Sequence, residues 1–317
     1  MGRFILRRVL QAIPTLFGIL LLTFALTRLS PSDPVSLMLA GAIDIPEEQR
    51  AALREELGLN RPLPVQFVDW TAHVFVLDFG KSFQTHRPAI DLILERLPNT
   101  LQLSVAALLL AIVVGVPLGV VAALTRGRLP DHLIRLVSVV GHAIPAFWFG
   151  LLFVLILGVD LRWFPIGSMN AIGKSDLTDR LWHMIGPVLT LALTGIANYP
   201  RYLRTEVLEI LGQDYVRTAR AKGIREGTVV WLHVLRNALI PVVTLLGGVL
   251  VVIVSGSVVI EQVFNWPGLG RLLYESALNK DYPVVQASVL IGSVLLITSY
   301  ILRDIAYAWV DPRIKVK

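Results

Sequence analysis

The sequence contains no cysteine. Disulfide scaffolds, thiolate metal sites, iron–sulfur clusters and cysteine nucleophiles are therefore excluded together. It is also poor in charge: Asp, Glu, Lys and Arg make up 16% of its 317 residues, against about 25% in an average soluble domain. With 55% hydrophobic residues and a mean hydropathy of +0.67, it is not an ordinary soluble globule. The remaining charge leans basic, with a net charge of +6 and a pI near 9.8. The 29 Lys and Arg residues flank apolar runs rather than gathering on a polar stretch, which favours a bilayer and disfavours nucleic acid as the partner.

Charge is missing altogether from six stretches: Val9–Leu26, Thr100–Leu124, Leu136–Val159, Leu181–Tyr199, Asn237–Ile260 and Tyr282–Leu302. Crossing about 30 Å of hydrocarbon takes roughly 20 helical residues, so each stretch is expected to span a membrane. Apolar residues surround each segment instead of forming one stripe, as buried or lipid-facing helices require. The first run follows Arg3, Arg7 and Arg8 as in a signal peptide, but it is too long for an h-region. Thr27-Arg28-Leu29-Ser30-Pro31 also lacks a small-x-small cleavage site, so a retained span is expected.

Counting basic residues on alternate sides gives the orientation. With the N-terminus inside, the inner segments hold 17 of the 29, seven of them between Arg201 and Arg236. The short outer loops hold few, and both termini are expected in the cytoplasm. In the long first outer loop, Pro46-Glu47-Glu48 predicts a short soluble helix with Gly58 just past its end. The aromatic stretch Val65–Leu77 reads as a segment at the membrane interface or a packed outer cap. The inner loop Pro200–Arg236 is punctuated by Gly212 and Gly223 and reads as helix, short helix, turn, helix. Its mixed charge and small residues suit docking into another protein, and composition alone also allows a solvated basic loop.

Two stretches in that loop are specific. Asp214-Tyr215-Val216-Arg217-Thr218-Ala219-Arg220-Ala221-Lys222-Gly223 is followed by His233-Val234-Leu235-Arg236-Asn237-Ala238-Leu239-Ile240-Pro241. Together they resemble the cytoplasmic coupling loop of ABC importer permeases, in the form typical of the dipeptide, oligopeptide and nickel branch. The resemblance extends over nearly the whole chain: Arg7-Arg8 with Pro14, Leu57-Gly58-Leu59-Asn60-Arg61-Pro62, Glu95-Arg96-Leu97-Pro98-Asn99-Thr100, and Glu261-Gln262-Val263-Phe264-Asn265-Trp266-Pro267-Gly268. The long first outer loop is similar to that of the B-type subunit. Against the general importer pattern, Ala219 and Gly223 align, whereas Arg217 and Thr218 replace the Glu and first Ala, and Arg236 stands in place of the Pro. A salt bridge made by the family's Glu therefore does not carry over.

The resemblance implies an all-α polytopic membrane protein with six transmembrane helices, the type I ABC importer permease fold and a cytoplasmic coupling helix. It implies residues 1–30 as N-terminal tail and first span, 31–99 as an extracytoplasmic loop with short helices, and 100–317 as a permease core containing the coupling loop 201–236. The implied setting is a bacterial or archaeal plasma membrane. The implied partners are a second homologous permease, two cytoplasmic ATPase domains and an extracytoplasmic solute-binding protein. ATP and Mg²⁺ would sit on the ATPases, and no cofactor on this chain.

The residues agree. Gly80-Lys81-Ser82 and Gly173-Lys174-Ser175 mimic the end of a P-loop, but Phe75 and Ser168 occupy the positions of its first glycine. No zinc-protease or serine-hydrolase motif occurs, so no catalysis is expected here. Asp214, Tyr215, Arg217, Thr218, Ala219, Arg220, Ala221, Lys222 and Gly223 are the expected coupling residues, with Tyr215, Ala219 and Gly223 on one helical face. Pro117, Pro145 and Pro187 are expected to kink their helices. His142, Asn198 and Glu261 are polar groups at or near membrane depth, and read as pathway candidates or as interhelical hydrogen-bonding groups. The alternative, a secondary transporter or channel, would need its own driving-force site, usually intramembrane carboxylates or broken helices with internal repeats; the six runs carry no charge, and the sequence shows no repeat.

Overall fold

A computed structural model describes residues 2–29, 34–39, 46–56, 58–174, 176–238 and 257–310. Among these no strand forms, and one isolated bridge joins Lys81 to Pro88. The helices are α1 (Gly2–Leu29), α2 (Pro34–Met38), α3 (Glu47–Glu56), α4 (Leu63–Phe75), α5 (Ala89–Leu124), α6 (Leu129–Ala143) and α7 (Ala146–Leu152). α7 continues as wider π-helical turns over Phe153–Asp160. After these come α8 (Leu177–Leu211), α9 (Asp214–Ala221) and α10 (Glu226–Thr228), the last running into π turns at Val229–Leu235. Residues 257–263 form α11, followed by α12 (Leu269–Leu278) and α13 (Tyr282–Val310).

Among the described residues, four helices are long and apolar enough to cross a bilayer: Leu6–Leu29, Ala89–Leu124, Leu177–Leu211 and Tyr282–Ile305. The expected third span is not one straight helix. α6 and the Ala146–Asp160 segment meet at a bend of 96°, either a broken span or a re-entrant loop. Pro145 explains the break, because its ring disfavours helical geometry at the residue before it, and Ile144 is extended at φ −83°, ψ 122°. Pro117 and Pro187, by contrast, lie within the continuous helices α5 and α8. Most of the expected fifth span, Asn237–Ile260, falls outside the described residues, as do Leu239-Ile240-Pro241.

Helices also run beyond the apolar runs that mark them. α5 begins at Ala89 and not at Thr100; its polar first turns bury Ala89 and Ile93 against Leu20, Val284 and Ala287. α8 passes through Pro200 to Leu211, so the loop expected from Pro200 begins only at Gly212. Hydropathy marks what lipid touches, whereas helix length follows packing, and 36 residues at about 1.5 Å each extend well past the hydrocarbon.

The chain forms two compact units. One comprises Met1–Pro98 with Gly268–Ile297, the other Asn99–Pro267 with Thr298–Lys317. In the first, the predicted helix after Pro46 forms as α3, and Gly58 follows it at φ +64°. The Val65–Leu77 stretch becomes α4, which packs on α1: Phe67 and Trp70 lie 5.3 and 5.7 Å from the Phe24 ring. Its other face leaves Val65, Val68 and Phe75 exposed. Buried Asp281 ties the unit together, accepting from Ser82 Oγ at 2.5 Å and the Phe83 amide at 3.0 Å.

The second unit is organised around the crossing of α5 and α8. Small residues on α5 let the backbones approach: a Cβ on Gly115 would lie 2.9 Å from Tyr199 Cβ, and one on Gly119 2.8 Å from Leu203 Cβ. This is the small-residue contact by which membrane helices gain dispersion energy where lipid offers no hydrophobic drive. α6 packs antiparallel on α8, Asp131 meeting Arg204 at one end and Gly141 facing Ala197 at the other.

Candidate functional site

The segment Pro200–Arg236 builds one continuous device from α8, α9 and the helix that follows. α9 has an acidic residue, Asp214, in its first turn and a basic one, Arg220, in its last, both favourable to the helix dipole. Its apolar face is Val216 and Ala219, three residues apart and buried against Leu203 and Val207 of α8 and Val229 and Val234 of the next helical segment. This corrects the expected face: Ala219 is turned inward at 6% exposure, while Tyr215 is 45% exposed. Ala219 therefore seats α9 on the chain's own core, and the outward surface consists of Asp214, Tyr215, Arg217, Thr218, Arg220, Ala221 and Lys222.

The charged residues are arranged locally. Arg220 donates to Glu226 through Nε at 3.1 Å and Nη2 at 2.6 Å, bridging the turn after α9. This pair raises the Arg220 pKa and holds the Glu226 carboxyl below its ordinary range. Arg217 lies 3.5 Å from Asp214 and donates to the Gly212 carbonyl. Tyr215 Oη accepts from Asn237 Nδ2 at 3.2 Å, joining α9 to the helical segment beyond it.

The turn is a Schellman cap. The Ile224 amide reaches the Ala219 carbonyl at 3.3 Å and the Gly223 amide the Arg220 carbonyl at 2.9 Å, which places Gly223 in the left-handed region at φ +74°. Ile224 packs on the same cluster as Ala219, the apolar contact that accompanies this cap. No neighbour lies within 4 Å of a Cβ built there, so the need for glycine is conformational, not steric.

An ion pair that the sequence reading did not identify anchors the α8 end of the device. Asp131, 1% exposed, accepts from Arg204 Nε at 2.7 Å, Arg204 Nη2 at 2.9 Å and the Gly127 amide at 2.9 Å. Seventy-three residues separate the partners, and only the helix crossing brings them together.

The three pathway candidates are differently placed. Glu261 on α11 is fully buried and accepts from Thr100 Oγ1 at 2.7 Å. Close by in sequence, the Trp266 indole donates to the Asn99 carbonyl at 3.1 Å, and Asn99 Nδ2 donates to the Pro267 carbonyl at 2.8 Å. Arg180 donates to Asn99 Oδ1 at 3.1 Å. His142 is exposed one turn from the break at Pro145, and Asn198 is half-buried on α8. The sequence assigned no role to Arg180 and named Asn99 and Trp266 only within longer stretches, because their contacts join distant segments. Among the described residues, no group of three or more His, Asp or Glu side chains is arranged to hold a metal ion.

With that geometry in view, comparison with known proteins is decisive. Residues 115–316 match the family described as "Binding-protein-dependent transport system inner membrane component", and residues 1–104 match its N-terminal component. The chain belongs to this family. It is an ABC importer permease, a transport component and not an enzyme. The permease is 42% identical over 317 residues to the oligopeptide transport system permease protein AppB of Bacillus subtilis, covering 99% of this chain and 100% of the relative. It is 38% identical to the di/tripeptide transport system permease protein DppB of Pseudomonas aeruginosa, with 98% of each chain covered. It is 40% identical to the glutathione transport system permease protein GsiC of Salmonella typhimurium over the full length of both. In fold, the permease resembles a chain of the inward-facing MetNI methionine ABC transporter, with a TM-score of 0.54 at 18% identity. The match covers 70% of this chain and 97% of that one.

Proposed function

We propose that the chain forms half of the translocation pathway of an ATP-driven importer for peptides or similar small solutes. The second half would be a homologous permease, with two cytoplasmic ATPase domains carrying ATP and Mg²⁺ and an extracytoplasmic solute-binding protein delivering substrate. Both termini lie in the cytoplasm, residues 31–99 face outward, and 201–236 face the ATPases. The observation that carries this reading is full-length similarity of about 40% to permeases named for oligopeptides, di- and tripeptides and glutathione. These solutes share a peptide backbone.

In this reading the segment 214–223 couples the two machines. A helix transmits a push only if it is rigid where it meets its own subunit, and Val216 and Ala219 seat α9 in the core. ATP-driven closure of the ATPases displaces α9, and α8 carries the displacement to the crossing with α5, so the permease pair rocks between inward- and outward-facing states. Tyr215, Arg217, Thr218, Ala221 and Lys222 are the surface offered to the ATPase. Arg220 acts through its pair with Glu226, and Gly223 through the cap.

His142, Asn198 and Glu261 remain the pathway candidates. The burial of Glu261 and its bond to Thr100 support a role in closing the path. Glu261→Gln keeps an acceptor for Thr100 but removes the charge, and it is expected to lower uptake of labelled peptide in cells. Substrate affinity and uptake unchanged in Glu261→Gln would remove Glu261 from the path.

Gently solubilised, tagged permease is expected to bring down a second permease and two P-loop ATPases in a preparation that hydrolyses ATP. Mass spectrometry and a phosphate-release assay read both. A chain that purifies alone, without ATPase activity, and instead drives uptake from an ion gradient in vesicles would overturn the proposal.

A further inference from the structure

Between α6 and α8 lies a cavity of about 400 Å³. One end is basic: Arg135, Arg201 and Arg204 line it together with His132 and Thr205. Among the described residues that line the cavity there is no carboxylate. Asp131 beside them is buried and already held by two nitrogens of Arg204 and by the Gly127 amide, and lies 3.8 Å from Arg135. Three lining guanidinium groups against that one carboxylate leave this end net positive. Arg135 is half exposed and bonds His132, while exposed Arg201 lies over the Tyr202 ring, 5.5 Å from its centre.

The other end is apolar, lined by Leu136, Val139, Ala122 and Pro200. Because α6 and α8 are antiparallel, the change from basic to apolar follows the helix axes. The Asp131–Arg204 pair marks the polar end. The contact of Gly141 with Ala197, about 15 Å further along the helix, lies toward the membrane interior. A free phosphate satisfies the basic end only, and an apolar helix the other end only. A phospholipid satisfies both, with an anionic headgroup above and an acyl chain below, in the manner of basic interhelical pockets that hold anionic lipid headgroups.

We propose that this cavity is a binding site for an anionic phospholipid, its phosphate held by Arg135 and Arg201 and one acyl chain lying along Val139. Arg204 is committed to Asp131 and shapes the site without being its principal ligand. Placing the site in the cytoplasmic leaflet rests on the proposed topology. Lipid there packs against the segment of α8 that leads into α9, so the membrane's anionic lipid content bears on the coupling device itself.

The test is native mass spectrometry of the intact transporter complex released from nanodiscs containing dioleoylphosphatidylglycerol and dioleoylphosphatidylcholine. The wild-type complex is expected to retain phosphatidylglycerol in preference to phosphatidylcholine. At about five-fold per cation, the Arg135→Gln/Arg201→Gln variant is expected to bind it about 25-fold more weakly, whereas Arg126→Gln/Arg128→Gln, outside the cavity, is expected to retain it. Copurifying subunits in each variant confirm that the complex is assembled. Val139→Trp fills the apolar arm and is expected to reduce retention of the phospholipid. Equal retention by both double variants overturns the proposal, as does displacement of the lipid by millimolar inorganic phosphate, which identifies a free-anion site. Full crosslinking of Val139→Cys to a neighbouring subunit also overturns it, since a protein helix then fills the groove. Because the chain has no native cysteine, labelling of Arg128→Cys by an impermeant maleimide reads sidedness separately. An error of topology would change the leaflet and leave retention intact.

Discussion

Gly119→Val is expected to remove most of the folded permease from the membrane, while the same change at Gly18 is expected to leave its level unaltered. The added Cβ at 119 would stand 2.8 Å from Leu203 Cβ and 3.1 Å from both the Cα and the carbonyl oxygen of Pro200. The last two atoms are backbone, so no rotamer change relieves the clash, and α5 must move away from α8. Overpacking of this kind costs about 1–3 kcal/mol at one site. Separation of the helices here also loosens the neighbouring approach of Gly115 to Tyr199. At Gly18 nothing lies within 4 Å of the new atom. The amount of monodisperse protein and its thermal midpoint in detergent measure the effect. A Gly119→Val permease as abundant and as heat-resistant as the wild type would mean that the helices do not cross this closely.

The second large effect concerns the turn after α9. Gly223→Val is expected to uncouple ATP hydrolysis from uptake while the protein still inserts and assembles. At φ +74° a β-branched residue is strained by about 1–2 kcal/mol. With open space around it, the side chain itself meets nothing. Relief of the strain opens the cap, releases the amides of Gly223 and Ile224 and pulls at the Arg220–Glu226 bridge. The outward face of α9 then shifts relative to the core. Gly223→Asn is the discriminating control, since asparagine tolerates the left-handed region, and it is expected to keep most of the coupling. The readout is ATP hydrolysed per peptide accumulated in proteoliposomes that contain the partner subunits. If valine and asparagine give the wild-type ratio, the cap has no part in coupling.

Much of this permease was legible before any coordinates. Absence of charge located the spans, because a bilayer tolerates few charged groups at depth, and four of the six runs coincide with long apolar helices. The acidic turn after Pro46 marked α3, and Gly212 and Gly223 marked the breaks on either side of α9. These signals are local: each depends on residues within a turn or two of one another.

The face of α9 was not legible in the same way. Ala219 and Tyr215 both suited an outward surface, and small size says nothing about direction. Only the positions of Leu203, Val207, Val229 and Val234 turn Ala219 inward and leave Tyr215 out. The pairing of Asp131 with Arg204 escaped notice for a related reason. Each looks like an ordinary charge at the end of an apolar run, and the bond exists because two antiparallel helices bring together residues 73 positions apart.

Membrane residence, helical class, family and the glycine turn after α9 were thus set by the sequence alone, since solvation and backbone preference act residue by residue. The tertiary structure decided where α5 and α8 begin and end, that the third apolar run is bent through 96° at Pro145, and which charges are committed to one another. It also made the basic and apolar ends of one cavity out of side chains from separate helices. Those outcomes depend on which surfaces meet, and packing between distant segments has no signature in either segment alone.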